Sequence, residues 1–399
     1  MVIKKNEMLL QLTAFYLHLS VFRGILQNIS IIVRGEEWVF LRPLFALLGC
    51  AVIIVAGLCT IKMKMIDKRV VYIFCCWILL FVFSYISNPS LERIILKVIF
   101  YSTQVFVIML LFSQISNLEE LESKLRGYIF VTTIYSILQF FAFIMIGGYS
   151  MEYSYNTMIS VLLSLCLGIN HKKKKYLYLF LYFVFVNLIC GSRGSIICYC
   201  IAVLLLLYFK NKEKIFVISL PIIIGCLVSY NSLCSLLLAL FPTSRTIELF
   251  ASGKILNLSG RDEYYEYIIN MILNDSWRVH GIYSDRLFLS KYFHSSLSTE
   301  RYGSYAHNFF LEILFQFGFI GVPILFICIF ILFYSVFWTK RQEPSALQDL
   351  FIISFAFCVG QLMFSGSYLT ANSFGIFVGV LLMFSSGKWR KNEKGIDSF

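Results

Sequence analysis

The chain has 399 residues, 59% of them hydrophobic and only 14% charged, with a formal net charge of +12. Soluble domains carry roughly 25% charged residues, so an ordinary soluble protein is excluded. The basic residues stand in short runs beside apolar stretches, which suits contact with anionic membrane lipids and excludes a nucleic-acid partner. The apolar runs are too long and too continuous for barrel strands. What remains is an all-α polytopic membrane protein.

Each crossing of a bilayer needs about 20 apolar residues. In chain order, spans are predicted near 8–33, 39–61, 70–87, 94–115, 127–147, 155–170, 175–190, 194–210, 214–239, 308–338, 347–365 and 370–387. That makes twelve. The sixth, seventh and eighth are short, and the tenth is long enough to start as a surface helix. The first run is too long for a cleaved signal peptide and is read as a span. Residues 1–399 thus form a single membrane domain with no soluble catalytic domain, and 387–399 form a polar tail. Residues 241–306 are the one large loop.

Basic residues fix the orientation. Lys4 and Lys5 precede the first span, Lys62, Lys64, Lys68 and Arg69 follow the second, and Lys172 to Lys175 follow the sixth. Lys210, Lys212 and Lys214 follow the eighth, and Lys388, Arg390, Lys391 and Lys394 the twelfth. With alternating spans all fall on one side, so the positive-inside rule puts both termini and the tail in the cytoplasm. The short turn at 191–195 and the loop at 241–306 then face outward. All twelve cysteines lie in or at the edge of spans and none in the loop, so no disulfide framework is implied. No Cys/His cluster has metal-ligand spacing, and no metal or cofactor is expected.

Within the loop, Ser259-Gly260-Arg261-Asp262 reads as a helix start, with a serine three residues before an acid. Tyr264, Ile268, Met271 and Ile272 then form one apolar stripe. Arg261 at the positive end of that helix suits a docked anion or a pairing with Asp262 or Glu263. Arg193 sits between Gly191 and Gly194, which let backbone approach a ligand closely, while its guanidinium fork matches phosphate oxygens. Ser192 and Ser195 add hydroxyl donors, and the following helix start favours anions. A tight turn with an interfacial arginine accounts for the same residues. His307 opens the next apolar run on the same face and can exchange a proton near neutral pH; helix capping or anchoring is its structural alternative. Asn308 and Glu312 lie nearby, Glu312 about 140° round a helix from His307. Gly318 and Gly321 suit close helix packing. Arg23, a charge inside a span, suits a phosphate contact or a snorkelling role.

Gly191-Ser192-Arg193-Gly194, then Gly260-Arg261 in a large loop, then His307-Asn308 with nine residues before Gly318-Phe319-Ile320-Gly321, resemble the superfamily of O-antigen polymerases and O-antigen ligases. The resemblance covers the whole topology and is specific at three short motifs. It implies a metal-independent glycosyltransferase in a bacterial inner membrane, its large loop periplasmic, using a glycan on undecaprenyl pyrophosphate as donor. Arg193 and Arg261 are then expected to bind the donor pyrophosphate, with Gly191, Ser192, Gly194, Ser195, Gly260 and Asn308 lining the site. His307 is expected to activate or position the acceptor hydroxyl. A polysaccharide chain-length regulator is the implied protein partner. Among members, a polymerase joining lipid-linked repeat units is the first reading, and a ligase transferring polysaccharide to lipid A-core is its neighbour. From a different class, a flippase for the lipid-linked oligosaccharide also suits twelve spans. Against it, a transporter places ionisable groups near the bilayer midplane, and the polar residues here concentrate in one loop.

Overall fold

The computed structural model describes residues 2–62, 66–87, 95–147, 150–170, 172–210, 230–252, 261–292, 305–340 and 345–386. Among these the fold is all-helical, with no strand. The helices are α1 (Val2–Arg34), α2 (Leu41–Lys62), α3 (Lys68–Ser87), α4 (Ile95–Ser113), α5 (Leu118–Ile146), α6 (Met151–Asn156), α7 (Met158–Asn170), α8 (Lys174–Cys190), α9 (Arg193–Lys210), α10 (Tyr230–Leu240), α11 (Arg245–Ala251), α12 (Asp262–Asn274), α13 (Ser284–Tyr292), α14 (Phe309–Phe317), α15 (Gly321–Lys340), α16 (Ser345–Phe364) and α17 (Asn372–Ser386). Six stretches among them are long and apolar enough to cross a membrane, and four shorter apolar helices accompany them. The protein is therefore a multi-pass membrane protein.

Eleven predicted spans coincide with described helices. Of the ninth, at 214–239, only α10 is described. Two spans carry structure that hydropathy did not reveal. The sixth is split at Thr157 into α6 and α7, and Ser150 caps α6 by accepting from the Tyr153 N–H. The tenth is split too: α14 ends in a 3₁₀ turn at Gly318–Ile320 before α15 begins.

Burial separates inner from outer helices. In α16, 72% of the most apolar window is buried, against 11% in α2, 22% in α3 and 17% in the stretch spanning α14 and α15. Alpha-16 is thus the central pillar. Its Leu347, Phe351, Ile352 and Ala356 pack into one core with Val161, Leu162 and Cys166 of α7, Cys198 and Ala202 of α9, and Val380 and Met383 of α17. The outer helices present Leu47, Leu79, Phe130 and Phe326 outward, as a lipid-facing surface requires. Gly360 of α16 sits so close to α9 that an added Cβ would lie 2.2 Å from Cys198 Sγ. No side chain but hydrogen fits there.

The loop helices seat themselves on one end of this bundle. Ser244 Oγ donates to Ile189 O at 2.7 Å and Thr246 Oγ1 to Gly191 O at 2.8 Å, tying α11 to the end of α8. The Ile282 N–H donates to Ser84 Oγ at 2.8 Å, tying the α13 approach to the end of α3. Ile268 of α12 is buried with Leu289 of α13, Ala306 and Phe315 of α14, and Tyr264, Met271 and Ile272 pack around them. The stripe expected on α12 is therefore its packing face. Ser259 and Gly260 lie outside the described residues, as do His171, His294, Cys226 and the 387–399 tail. Alpha-12 begins at Asp262 directly after Arg261, whose side chain does not cap it.

Candidate active site

The 191–195 turn is built by tight contact. Gly191 and Gly194 are glycines because protein fills the space a Cβ would need: at Gly191 it would lie 2.5 Å from Ser154 Oγ, at Gly194 2.3 Å from the Tyr155 hydroxyl. What approaches the backbone closely here is α6, whereas the sequence suggested a ligand. Ser154 Oγ accepts from the Ser192 N–H at 2.6 Å, and Ser195 Oγ donates to Ser192 O at 2.6 Å, so Ser195 is used in closing the turn. The buried Ser192 Oγ has no partner among the described residues. Arg193 is the first residue of α9, half-buried, where the helix dipole adds positive potential to its own charge.

The turn between α16 and α17 joins this feature to the loop. Tyr155 donates to Ser365 Oγ at 2.8 Å, and a Cβ added at Gly194 would lie 3.5 Å from the same oxygen. Arg261 donates from Nη1 to Phe364 O, and Tyr305 donates to Ser365 O. Tyr305 in turn lies against His307, their ring centroids 3.7 Å apart. Three distant motifs (Arg193 with its glycines, Arg261, His307) thus meet around residues 364–365.

His307 lies outside the helix that follows it. Its φ is +52°, a conformation L residues seldom adopt. Asn308 next to it is the N-cap of α14, its side chain accepting from the Phe310 and Leu311 N–H groups at 2.9 and 3.2 Å. Asn308 therefore holds the helix start and so aims the histidine. The buried Nδ1 has no partner among the described residues. Burial, reinforced by the positive charges of Arg261 and Arg286, holds the imidazole pKa well below its ordinary 6.5. At neutral pH the ring is uncharged and able to accept a proton.

Arg286, on α13, was not singled out by sequence. It is 2% exposed, with Nη1 3.5 Å from both Asp285 Oδ1 and Glu312 Oε1. Its guanidinium carbon lies 4.2 Å from the Tyr283 ring centroid and 4.9 Å from that of Tyr305. Burial works against its charge, but Asp285, Tyr283 and Glu312 outweigh burial and raise its pKa further. Around it runs a buried polar network. Gln316 donates to Asp285 Oδ1 at 2.9 Å, Tyr368 donates to Gln316 Oε1 at 2.6 Å, Ser367 donates to Glu312, and the Ala306 N–H donates to Asp285 Oδ2 at 3.3 Å. Arg286 Nε and Nη2 remain without partners among the described residues. Glu312 serves this network, with the imidazole held instead by Tyr305. The sequence signal available was Glu312 and Gln316, two polar residues one turn apart inside an apolar run, which call for a buried partner.

The other ionisable groups have structural duties. Arg23 is paired with Glu152. His18 is buried between Ala14 O at 2.9 Å and Ser160 Oγ at 3.0 Å, stacked on Tyr128. His280 stacks on Phe315 at 4.5 Å. Among the described residues no group of His, Cys, Asp and Glu could hold a metal ion.

Arg261 and Arg286 are the positive charges that act on the neutral imidazole, and the Arg193 turn adjoins them through Ser365. Residues 177–326, from α8 through the loop and α14 into α15, match the family model described as O-antigen ligase. No curated protein and no solved structure matches the chain. The matched segment holds Arg193, Arg261, Arg286 and His307, and over that part, less than half of its length, the chain is similar to the O-antigen ligase family.

Proposed function

We propose that the protein is an O-antigen polymerase that joins undecaprenyl-pyrophosphate-linked repeat units on the periplasmic face of a bacterial inner membrane. The observation that supports this reading is that Arg261, Tyr305 beside a neutral His307, and the turn carrying Arg193 all adjoin residues 364–365, with Arg286 behind the imidazole. Arg193 and Arg261 hold the donor pyrophosphate, and Arg286 adds positive potential behind them. His307 takes the proton of the acceptor hydroxyl as its oxygen attacks the anomeric carbon. The bond from that carbon to the pyrophosphate oxygen breaks, and undecaprenyl pyrophosphate leaves with the electron pair. The guanidinium groups stabilise the charge that builds on it. Attack from the face opposite the leaving group inverts the anomeric configuration. The reaction as proposed uses no metal ion and no covalent enzyme intermediate.

A ligase would use the same donor site and differ in its acceptor, lipid A-core. The purified protein tests these readings with lipid-linked repeat units and no added metal or nucleotide. Wild type is expected to form longer glycans. General-base assistance is worth about 10²–10⁴-fold, so His307→Ala should leave nearly all units intact while still binding them. Transfer only to lipid A-core would establish a ligase. Movement of intact units across liposomes without new glycosidic bonds would establish a transporter.

A further inference from the structure

A second polar feature opens on the same end of the bundle. A cavity of about 440 Å³ is lined by Gln27 and Asn28 of α1, Glu37 and Arg42 at the start of α2, Gln139 of α5 and Glu152 of α6. Helices meeting in a membrane protein ordinarily close over apolar or small side chains, and polar groups facing hydrocarbon are costly. Here three amides and two carboxylates converge among Ile31, Ala142, Phe143, Ile146 and Met151. Asn28 Nδ2 donates to Gln139 Oε1 at 3.2 Å, Gln27 donates to Glu37, and Arg42 pairs with Glu37 at 3.0 Å. Glu152 is paired with Arg23.

The charges select the ligand class. The lining carries two glutamates and one arginine, with Arg23 beside it pairing Glu152, so this cavity offers no net attraction to the pyrophosphate that the neighbouring site would hold. A zwitterionic headgroup would need separated charges, and these are paired with each other. Each amide offers both donors and acceptors, the same dual character as a sugar hydroxyl. The volume falls within the roughly 300–1,000 Å³ of small-ligand sites. Position completes the case. Glu152 shares the six-residue α6 with Ser154 and Tyr155, which brace the Arg193 turn. The two sites are thus separated by one helix, roughly 10–12 Å across.

We propose that this cavity is an uncharged-glycan subsite, gripping sugar residues a few units away from the bond that reacts. That the glycan belongs to the lipid-linked substrate rests on the glycosyl-transfer reading above. The probe is the free oligosaccharide released by mild acid from the strain's lipid-linked repeat units, followed by saturation-transfer NMR on the protein in nanodiscs. Gln27→Ala combined with Glu37→Ala removes rim groups, and Gln139→Leu removes an inner amide. Wild type and Arg261→Lys should bind the oligosaccharide alike, and inorganic pyrophosphate should not displace it. Each cavity variant should weaken binding roughly tenfold or more and raise KM for transfer in step. No binding to wild type, unchanged binding in both cavity variants, or displacement by phosphoethanolamine would overturn the proposal. The two readings separate cleanly. Cavity-dependent binding without any glycosidic bond formation sinks glycosyl transfer and leaves the subsite standing, whereas normal transfer with unchanged KM in both variants does the reverse.

Discussion

An imidazole serves as a base only while it is unprotonated, and the surroundings of His307 secure that. Because burial and the two arginines depress its pKa well below 6.5, kcat/KM should stay level as pH falls from 8 through 6.5, with no acid limb near the ordinary histidine value. A limb at 6.5 would mean a solvated ring. Stability carries the same signature. The folded pKa is lower than the unfolded one, so the native state binds fewer protons. Its contribution is full above about 6.5 and is lost as pH falls below that. His307→Ala should therefore lose less stability between pH 7 and pH 5 than wild type does. The arginines divide by burial. Arg193→Lys and Arg261→Lys should each cost about 10²–10³ in rate with normal abundance, because an ammonium cannot reproduce the guanidinium fork. Arg286→Met leaves Asp285 and Glu312 facing each other without a cation, and it should lower thermal stability by about 3–5 kcal/mol. Near-normal melting of that variant would show the pair is discharged without help.

At the scale of elements, the break after α14 decides where the site can form. Gly318 has φ +54°, and a Cβ there would lie 2.5 Å from Arg278 O, so the 3₁₀ turn needs a residue without a side chain. Gly→Ala at an ordinary helical position gains up to about 1 kcal/mol, but at this positive φ Gly318→Ala should destabilise by more than that, read as a lowered melting temperature and loss of transfer together. The helical runs themselves were legible from apolar length. So were the motifs around Arg193, Arg261 and His307, because each pairs a charge with glycine or an apolar boundary. The split helices were not, since Gly318 sits inside an apolar stretch and Thr157 at the edge of one, where apolar length alone marks no break. Arg286 was hidden for a different reason: its partner Glu312 comes 26 residues later, on another helix. The role of Asn308 needed its side-chain geometry, which a motif does not carry.

For the whole molecule, the lysine runs and the site make one joint claim about orientation. If both termini are cytoplasmic, as the lysine runs predict, Lys173 faces the cytoplasm and the loop faces outward. Cysteines placed at Lys173 and at the exposed Ser276, with the native cysteines replaced, should label from outside only at 276. Labelling at 173 alone would invert the protein and move the proposed chemistry to the side where lysines crowd.

The absence of room between Gly360 and Cys198 has a bearing on how the proposed lipid-linked substrate would get in and out. Two rods pressed together without slack cannot spread, so the Arg193 turn at the head of α9 and the 364–365 turn at the end of α16 behave as one fixed jaw. The opposite jaw is α12 and α13, seated on the bundle end through side-chain contacts and a few hydrogen bonds. Under the proposed function, admitting and releasing a polymer would shift α12 and α13 against this fixed frame.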